Sequence, residues 1–452
     1  MASAVGKTGA WCLALRSSRF ATMASLAALF TGVAAHAAKV TVLTSFPSEV
    51  VSVYKKAYEA SAPGVDVEVV SKSSSDLVAT LKKMPTGQRP DVVWASDPGA
   101  FAAMAHQGLL SPAAELRNTS IPTRIGSFPM NGPDNLYFGQ ALSGYGLMWN
   151  RDYLRQNGLR TPFSWADLAR PVYFNHVAMS SPLRSGTTHL TVDVILQAEG
   201  WDAGWTQLLF IAANCAAISP KSGDVPTLVK EGKSGVGLVV DFFGLSAKAS
   251  GAPVTFAYPE RTAVLPASIA MVAGSKAPRE GERFIKFALS TPGQELLFEK
   301  AISRMPASPY AAASLKVPSD FPNVYAVARK TPVKFDLALY EERRELVAAL
   351  FERTITRAHA ELRQAVDALI KAERIQEKAP TAENAERIRQ ARELIGKPVV
   401  PFADYATQRK RDDLALAGTE AVAHPWTVLA KLNYAQATLL VSSVGKSKPS
   451  DR

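Results

Sequence analysis

Three short β-rich runs, and the helical patterns between them, constrain this chain more than any other feature. Val40-Thr41-Val42-Leu43-Thr44 reads as a buried strand, Val65-Asp66-Val67-Glu68-Val69-Val70 as a second and Asp91-Val92-Val93-Trp94-Ala95 as a third. Behind the first, Val50, Val53, Tyr54, Ala57 and Tyr58 fall on one helical face, and Pro63-Gly64 stops that helix. Asp76 to Lys83 is a short helical stretch, and Pro98 opens another that runs to Gln107 and closes at Gly108. Strand, helix, strand, helix, strand in so short a span predicts a parallel, doubly wound sheet.

Each of these strands ends in small polar residues: Thr44-Ser45, then Ser71 to Ser75, then Ser96-Asp97. In open α/β sheets ligands sit outside the carboxyl ends of the strands. Helix N-termini there offer unpaired N–H groups and partial positive charge, which suits an anion. The same residues are also favoured as ordinary N-caps and turns, so the pattern is read both ways.

Ser143 to Asn150 is a glycine-flanked extended segment, read as the first crossing into a second region. That region holds a strand-to-loop transition at Val177 to Pro182, a helix after His189 carrying Leu190, Val194, Ile195 and Ala198, and a buried strand from Val236 to Asp241. Ala263 to Ala273 is the expected return, followed by closing helices from Glu280 to about Ala301. Beyond Thr331 the composition turns charged and alanine-rich, with helical patterns over Glu341 to Ile375 and Ala382 to Leu394 and a turn at Lys378 to Thr381. This extension is expected to pack on the first lobe, with a partner-binding surface as the alternative.

Residues before the first strand read as a leader. Lys7, Arg16 and Arg19 precede an apolar run from Met23 to Ala35, too short to span a bilayer, and Ala35-His36-Ala37 has the small residues a signal peptidase reads. Residues 1–37 are therefore expected to be a cleaved signal peptide, giving a periplasmic protein. The chain has 51 Lys and Arg against 40 Asp and Glu, a formal net charge of +11, of which the leader supplies three. The excess is spread without a block of like charges, which argues against nucleic acid and suits an anionic ligand. Of two cysteines, Cys12 falls in the leader and Cys215 lies in an apolar context, so a small inert core residue is expected and no disulfide framework.

Chemistry concentrates in Ser180-Ser181-Pro182-Leu183-Arg184-Ser185-Gly186-Thr187-Thr188-His189. A glycine flanked by hydroxyls at a helix start lets backbone N–H groups approach an anion, and Arg184 could add a bidentate contact. The glycine spacing and lysine of a nucleotide-binding phosphate loop are missing. No His-x-x-x-His or paired-cysteine spacing suggests a metal. Ser143-Gly144-Tyr145-Gly146 places tyrosine where a hydrolase elbow needs its nucleophile, so catalysis is disfavoured and no cofactor is expected.

These residues resemble the periplasmic solute-binding proteins of ABC transporters, in the class with ferric-ion, polyamine and sugar-phosphate binders. The resemblance covers Ala38 to Tyr310 and continues more weakly through Phe335 to about Ala365. It implies an α/β, two-lobe periplasmic binding protein fold with doubly wound sheets, hinge strands near Tyr145 and Ala263, and a C-terminal helical extension. Lobe 1 would comprise residues 38–145 and 264–330, lobe 2 residues 146–263, and the extension residues 331–452. In the ferric-ion branch two adjacent tyrosines bind iron, whereas the matching positions here look like Phe242-Phe243, which argues against iron. The strings at 181 to 193 and 237 to 243 are similar to phosphoglycerate-transport regulators and hexose-phosphate binders. That similarity implies a small organic phosphate among Ser45, Ser73, Ser74, Ser96, Arg184, Ser185, Gly186, Thr187 and Thr188. Asp241, with His189 and Glu260, would meet the ligand's hydroxyls. Implied partners are an inner-membrane permease or a sensor kinase, the receptor acting as a monomer that closes on its ligand and catalyses nothing.

Overall fold

The computed structural model describes residues 38–314, 317–410 and 420–445; the leader assigned to residues 1–37 lies outside them. The strand-helix alternation is present. β1 (Ala38–Thr44), α1 (Ser48–Ser61), β2 (Val65–Ser71), α2 (Leu77–Lys83), β3 (Val92–Ala95) and α3 (Pro98–His106) follow one another, and β1 pairs in parallel with both β2 and β3. α1 turns Val50, Val51, Tyr54 and Tyr58 inward. Trp94, fully buried on β3, receives the rings of Phe46 and Tyr54 edge-on at 4.8 and 4.7 Å. Such edge contacts set the positive rim of one ring against the negative face of another.

The crossing is longer than its sequence signature. β4 (Phe138–Asn150) runs 13 residues, all buried. Beyond it come β5 (Val177–Ser180), α4 (Gly186–Glu199), α5 (Trp201–Ala213), β6 (Cys215–Ser219), α6 (Asp224–Lys230), β7 (Val236–Val240), α7 (Asp241–Ala249) and β8 (Val254–Ala257). The chain then returns along β9 (Val264–Met271) to α8 (Pro278–Leu289), and Met305–Pro306 adds a short strand, β10.

Among the described residues these strands form one ten-stranded sheet in the order β2-β1-β3-β9-β4-β7-β5-β6, with β8 and β10 also paired to β4. β4 joins two half-sheets by changing partner along its length, and its neighbours β9 and β7 both run antiparallel to it. Gly144 lies opposite Val264 of β9, whereas Tyr145 lies opposite Val240 of β7. Small residues permit this crowding: a Cβ on Gly146 would fall 2.4 Å from the Ala257 carbonyl oxygen.

The C-terminal helices are α9 (Leu337–Phe351), α10 (His359–Lys378), α11 (Ala382–Gly396), α12 (Phe402–Lys410) and α13 (Glu420–Val441). The expectation that they pack on the first lobe holds only for α9, which lies against α3 as well as α4. α10 and α11 lie on α5, in the second half of the sheet. There His359 Nε2 donates to the Ala212 carbonyl at 2.8 Å, Trp201 Nε1 donates to the Val400 carbonyl at 2.8 Å, and Trp201 stacks on Tyr405 at 4.3 Å. The apolar face of α5, which carries Trp201, Trp205, Leu209 and Phe210, would otherwise meet water. Cys215 is fully buried beside it, and burial pushes its thiol pKa up.

Candidate functional site

The seam between the half-sheets is where the loops after β1, β3 and β5 converge. Thr44 Oγ1 accepts from the Phe46 N–H at 3.0 Å and tightens the turn in which Ser45 is half-buried. After β2, Ser73 is exposed and donates to Asp76 at 2.6 Å, while Ser74 is half-buried. After β3, Ser96 accepts from Arg304 Nη1 at 2.9 Å, and Asp97 caps α3 by accepting from the Ala100 N–H.

Across the seam, α4 begins as its sequence predicts. Ser185 is the N-cap, its hydroxyl accepting from the Thr188 N–H at 3.1 Å, and the Thr188 hydroxyl bonds that of Ser180. Gly186 faces the opposite half closely. A Cβ there would lie 2.8 Å from an Asp97 carboxylate oxygen and 3.0 Å from the Ser74 Cβ. Only a residue without a side chain allows that approach. Thr187 is half-buried one residue on.

His189 is 2 % exposed, its ring 5.2 Å edge-on from Tyr340, and its Nε2 has no hydrogen-bond partner. Burial, then the charges of Arg344 and Arg343, hold its pKa well below the usual range, so the imidazole is neutral at pH 7. Asp241, at the start of α7, accepts from the Gly144 N–H (2.7 Å), the Tyr258 hydroxyl (2.8 Å) and the Phe242 N–H (2.8 Å). Burial nevertheless outweighs these bonds and lifts its pKa to about 6.

A cleft of about 1030 Å³ opens on this seam, lined by Ser75, Ser185, Gly186, His189 and, from α9, Glu341 and Arg344. Of the residues expected at the site only Ser185, Gly186 and His189 line it; Ser45, Ser73, Ser74, Ser96, Thr187, Thr188 and Asp241 do not, nor do the exposed Arg184 and Glu260. Sequence reasoning missed the charged residues that brace the seam. Arg343 holds Asp193 through a buried fork, Nε at 3.1 Å and Nη2 at 2.7 Å. The next residue, Arg344, reaches Asp97 in the other half at 2.9 Å. Two adjacent arginines on one helix thus fasten opposite halves of the molecule. The Arg-Arg doublet is the local trace of this, and in a charged helix it reads as a solvated face.

A two-part sheet joined by one shared strand, with hydroxyl loops and helix N-termini gathered at the join, is built to hold a small solute between its halves. The family model described as bacterial extracellular solute-binding protein matches residues 54–323. The chain belongs to that family. The phosphoglycerate transport regulatory protein PgtC of Salmonella typhimurium is 28 % identical over 348 residues, covering 76 % of this chain and 84 % of that protein. Among solved structures, the periplasmic binding protein AfuA of Actinobacillus pleuropneumoniae, with fructose-6-phosphate bound, superposes with a TM-score of 0.61. The two are 17 % identical, over 70 % of this chain and 98 % of AfuA. Iron-bound HitA of Pseudomonas aeruginosa gives 0.56 at 18 % identity, over 69 % and 98 %. At these identities the structural likeness shows the fold, a two-lobe periplasmic binding protein. Family and fold are those of binding proteins; a periplasmic setting, a small solute and a membrane permease as partner follow from them.

Proposed function

We propose that this protein captures a small organic phosphate between two lobes, divided near Tyr145 and Ala263, and presents the closed form to its permease. The buried N-terminal turn of α4 carries the reading. Ser185, Gly186, Thr187 and Thr188 bring hydroxyls and helix-start N–H groups to a seam where Gly186 meets Ser74 and Asp97 of the other half, and Ser45 and Ser96 lie on the loops of that same half. Asp97 faces that turn, but Arg344 pairs its carboxylate and offsets its repulsion of an anion. Asp241 and His189 are the groups suited to the ligand's hydroxyls. The relationship to a phosphoglycerate transport regulator supports the same chemistry.

A thermal-stability screen of residues 38–452 tests this. A ligand that binds only the folded state raises Tm by mass action. Phosphate monoesters should raise it where the parent alcohols do not; a rise with neither phosphates nor phosphonates contradicts the proposal.

A regulatory role, with the ligand-bound form engaging a sensor kinase, is favoured by one observation. α9 touches both halves through Arg343 and Arg344, so any lobe movement must be felt by the C-terminal helices.

A further inference from the structure

Arg304 is a buried cation with two unpartnered donors. It follows α8 and precedes β10, is 1 % exposed, and was not singled out by any local pattern. Its guanidinium lies between two phenyl rings, 4.1 Å from the centroid of Phe46 and 3.9 Å from that of Phe242. Phe46 follows β1 in the first half-sheet and Phe242 opens α7 in the second, so the cation sits on the seam itself. With both rings packed on the guanidinium, its N–H groups are what remains to bind anything. One edge atom, Nη1, donates to Ser96. The other two, Nε and Nη2, are buried and make no hydrogen bond.

Those two donors form one side of the guanidinium fork. The chain shows what that side does: Arg343 holds both oxygens of Asp193 with its own Nε and Nη2. Asp241 influences Arg304 electrostatically, yet its bonds go to Gly144, Phe242 and Tyr258. A buried charged donor without a partner is costly, and each such group in a folded protein calls for an explanation.

Building on the organic-phosphate reading, we infer that Arg304 is the anchor for the ligand's oxyanion, taking two of its oxygens on the Nε/Nη2 edge at the seam between the lobes. The two rings and the Ser96 bond hold the guanidinium in place, so it meets the ligand already oriented. Phe242 serves here as a wall of the anion seat, the same residue whose lack of oxygen argues against iron.

The test compares wild type, Arg304→Lys and Arg304→Met against 3-phosphoglycerate, inorganic phosphate, sulfate and acetate, reading affinity by calorimetry and unliganded Tm by unfolding. Arg304→Lys keeps the charge but loses the fork and should weaken binding about tenfold or more. Arg304→Met should weaken it about a hundredfold, in line with two charge-assisted hydrogen bonds. Without ligand, Arg304→Met should match or exceed wild type in Tm, because it replaces a buried, half-satisfied cation with an apolar chain; a purely structural arginine would show the reverse. Equal affinity in all three proteins overturns the anchor and leaves the phosphate reading standing. Binding of sulfate or acetate alone, lost in Arg304→Met, supports the anchor and removes the phosphate. No binding of any oxyanion to wild type overturns both. Should the variants fail to fold, a crystal structure of wild type with its best anion decides: oxygens within hydrogen-bond reach of Nε and Nη2 support the anchor, and an anion seated elsewhere overturns it.

Discussion

Asp241 and His189 are both buried without a full counter-charge, and they pull stability in opposite directions with pH. Asp241 has its carboxyl raised from 3.8 to about 6, so between those values the folded state holds a proton that the unfolded chain has lost. Stability from this group therefore falls as pH rises through that window, by roughly 3 kcal/mol in all. His189 is depressed, so the unfolded chain takes up its proton first, and stability falls as pH drops below the ordinary histidine value. Urea unfolding should show the stability of Asp241→Asn relative to wild type rising by about 2 kcal/mol between pH 4.5 and pH 7.5. His189→Gln should flatten the loss on the acid side, and unchanged pH profiles would contradict this assignment.

The turn at Ser185 to His189 was legible because a hydroxyl N-cap before small residues has a local signature. Arg304 and Arg344 were not legible. Their partners, Ser96 and Asp97, lie 208 and 247 residues away, and no periodicity carries information over that distance.

α9 acts as a brace. Its inner face sets Tyr340 against His189, Arg343 on Asp193 and Arg344 on Asp97. Arg343 and Asp193 are 4 % and 0 % exposed, so removing one partner strands the other's charge in the interior. Arg343→Met should cost about 3–5 kcal/mol by urea unfolding, and adding Asp193→Ala should recover much of it; an additive double variant would show that the pair is not coupled. A chain ending at Thr331 leaves Asp193 and Asp97 without their arginines, and should lose its cooperative unfolding transition in urea; a transition as sharp as that of the full chain would contradict the brace.

The sequence predicted a helical pattern from Glu341 to Ile375, whereas the structure interrupts it with a wide turn at Glu352–Thr356. Thr354, Ile355 and Thr356 are β-branched and crowd a regular helix, and the Thr354 hydroxyl bonds back to the Leu350 carbonyl. The placement of the extension was misread for a different reason. An apolar stripe says that a helix face is covered, not what covers it.

At the scale of the whole molecule, the parallel strands of the first half were plain in the sequence, reading as apolar runs between helices, whereas β6 and β8 of the second half were not read. The joining strand was read only from Ser143 onward, because its earlier part includes Gln140, a polar residue in the core. Gln140 is satisfied there by the Tyr54 hydroxyl and the Trp94 indole N–H, partners no local pattern reveals. The proposed function requires lobes that close around a phosphate. Calorimetric titration of residues 38–452 with 3-phosphoglycerate and, separately, with glycerate tests it most directly. Saturable binding of the ester, with affinity at least a hundredfold above that of the alcohol, is the result predicted; equal affinity for both, or binding of neither, would contradict it.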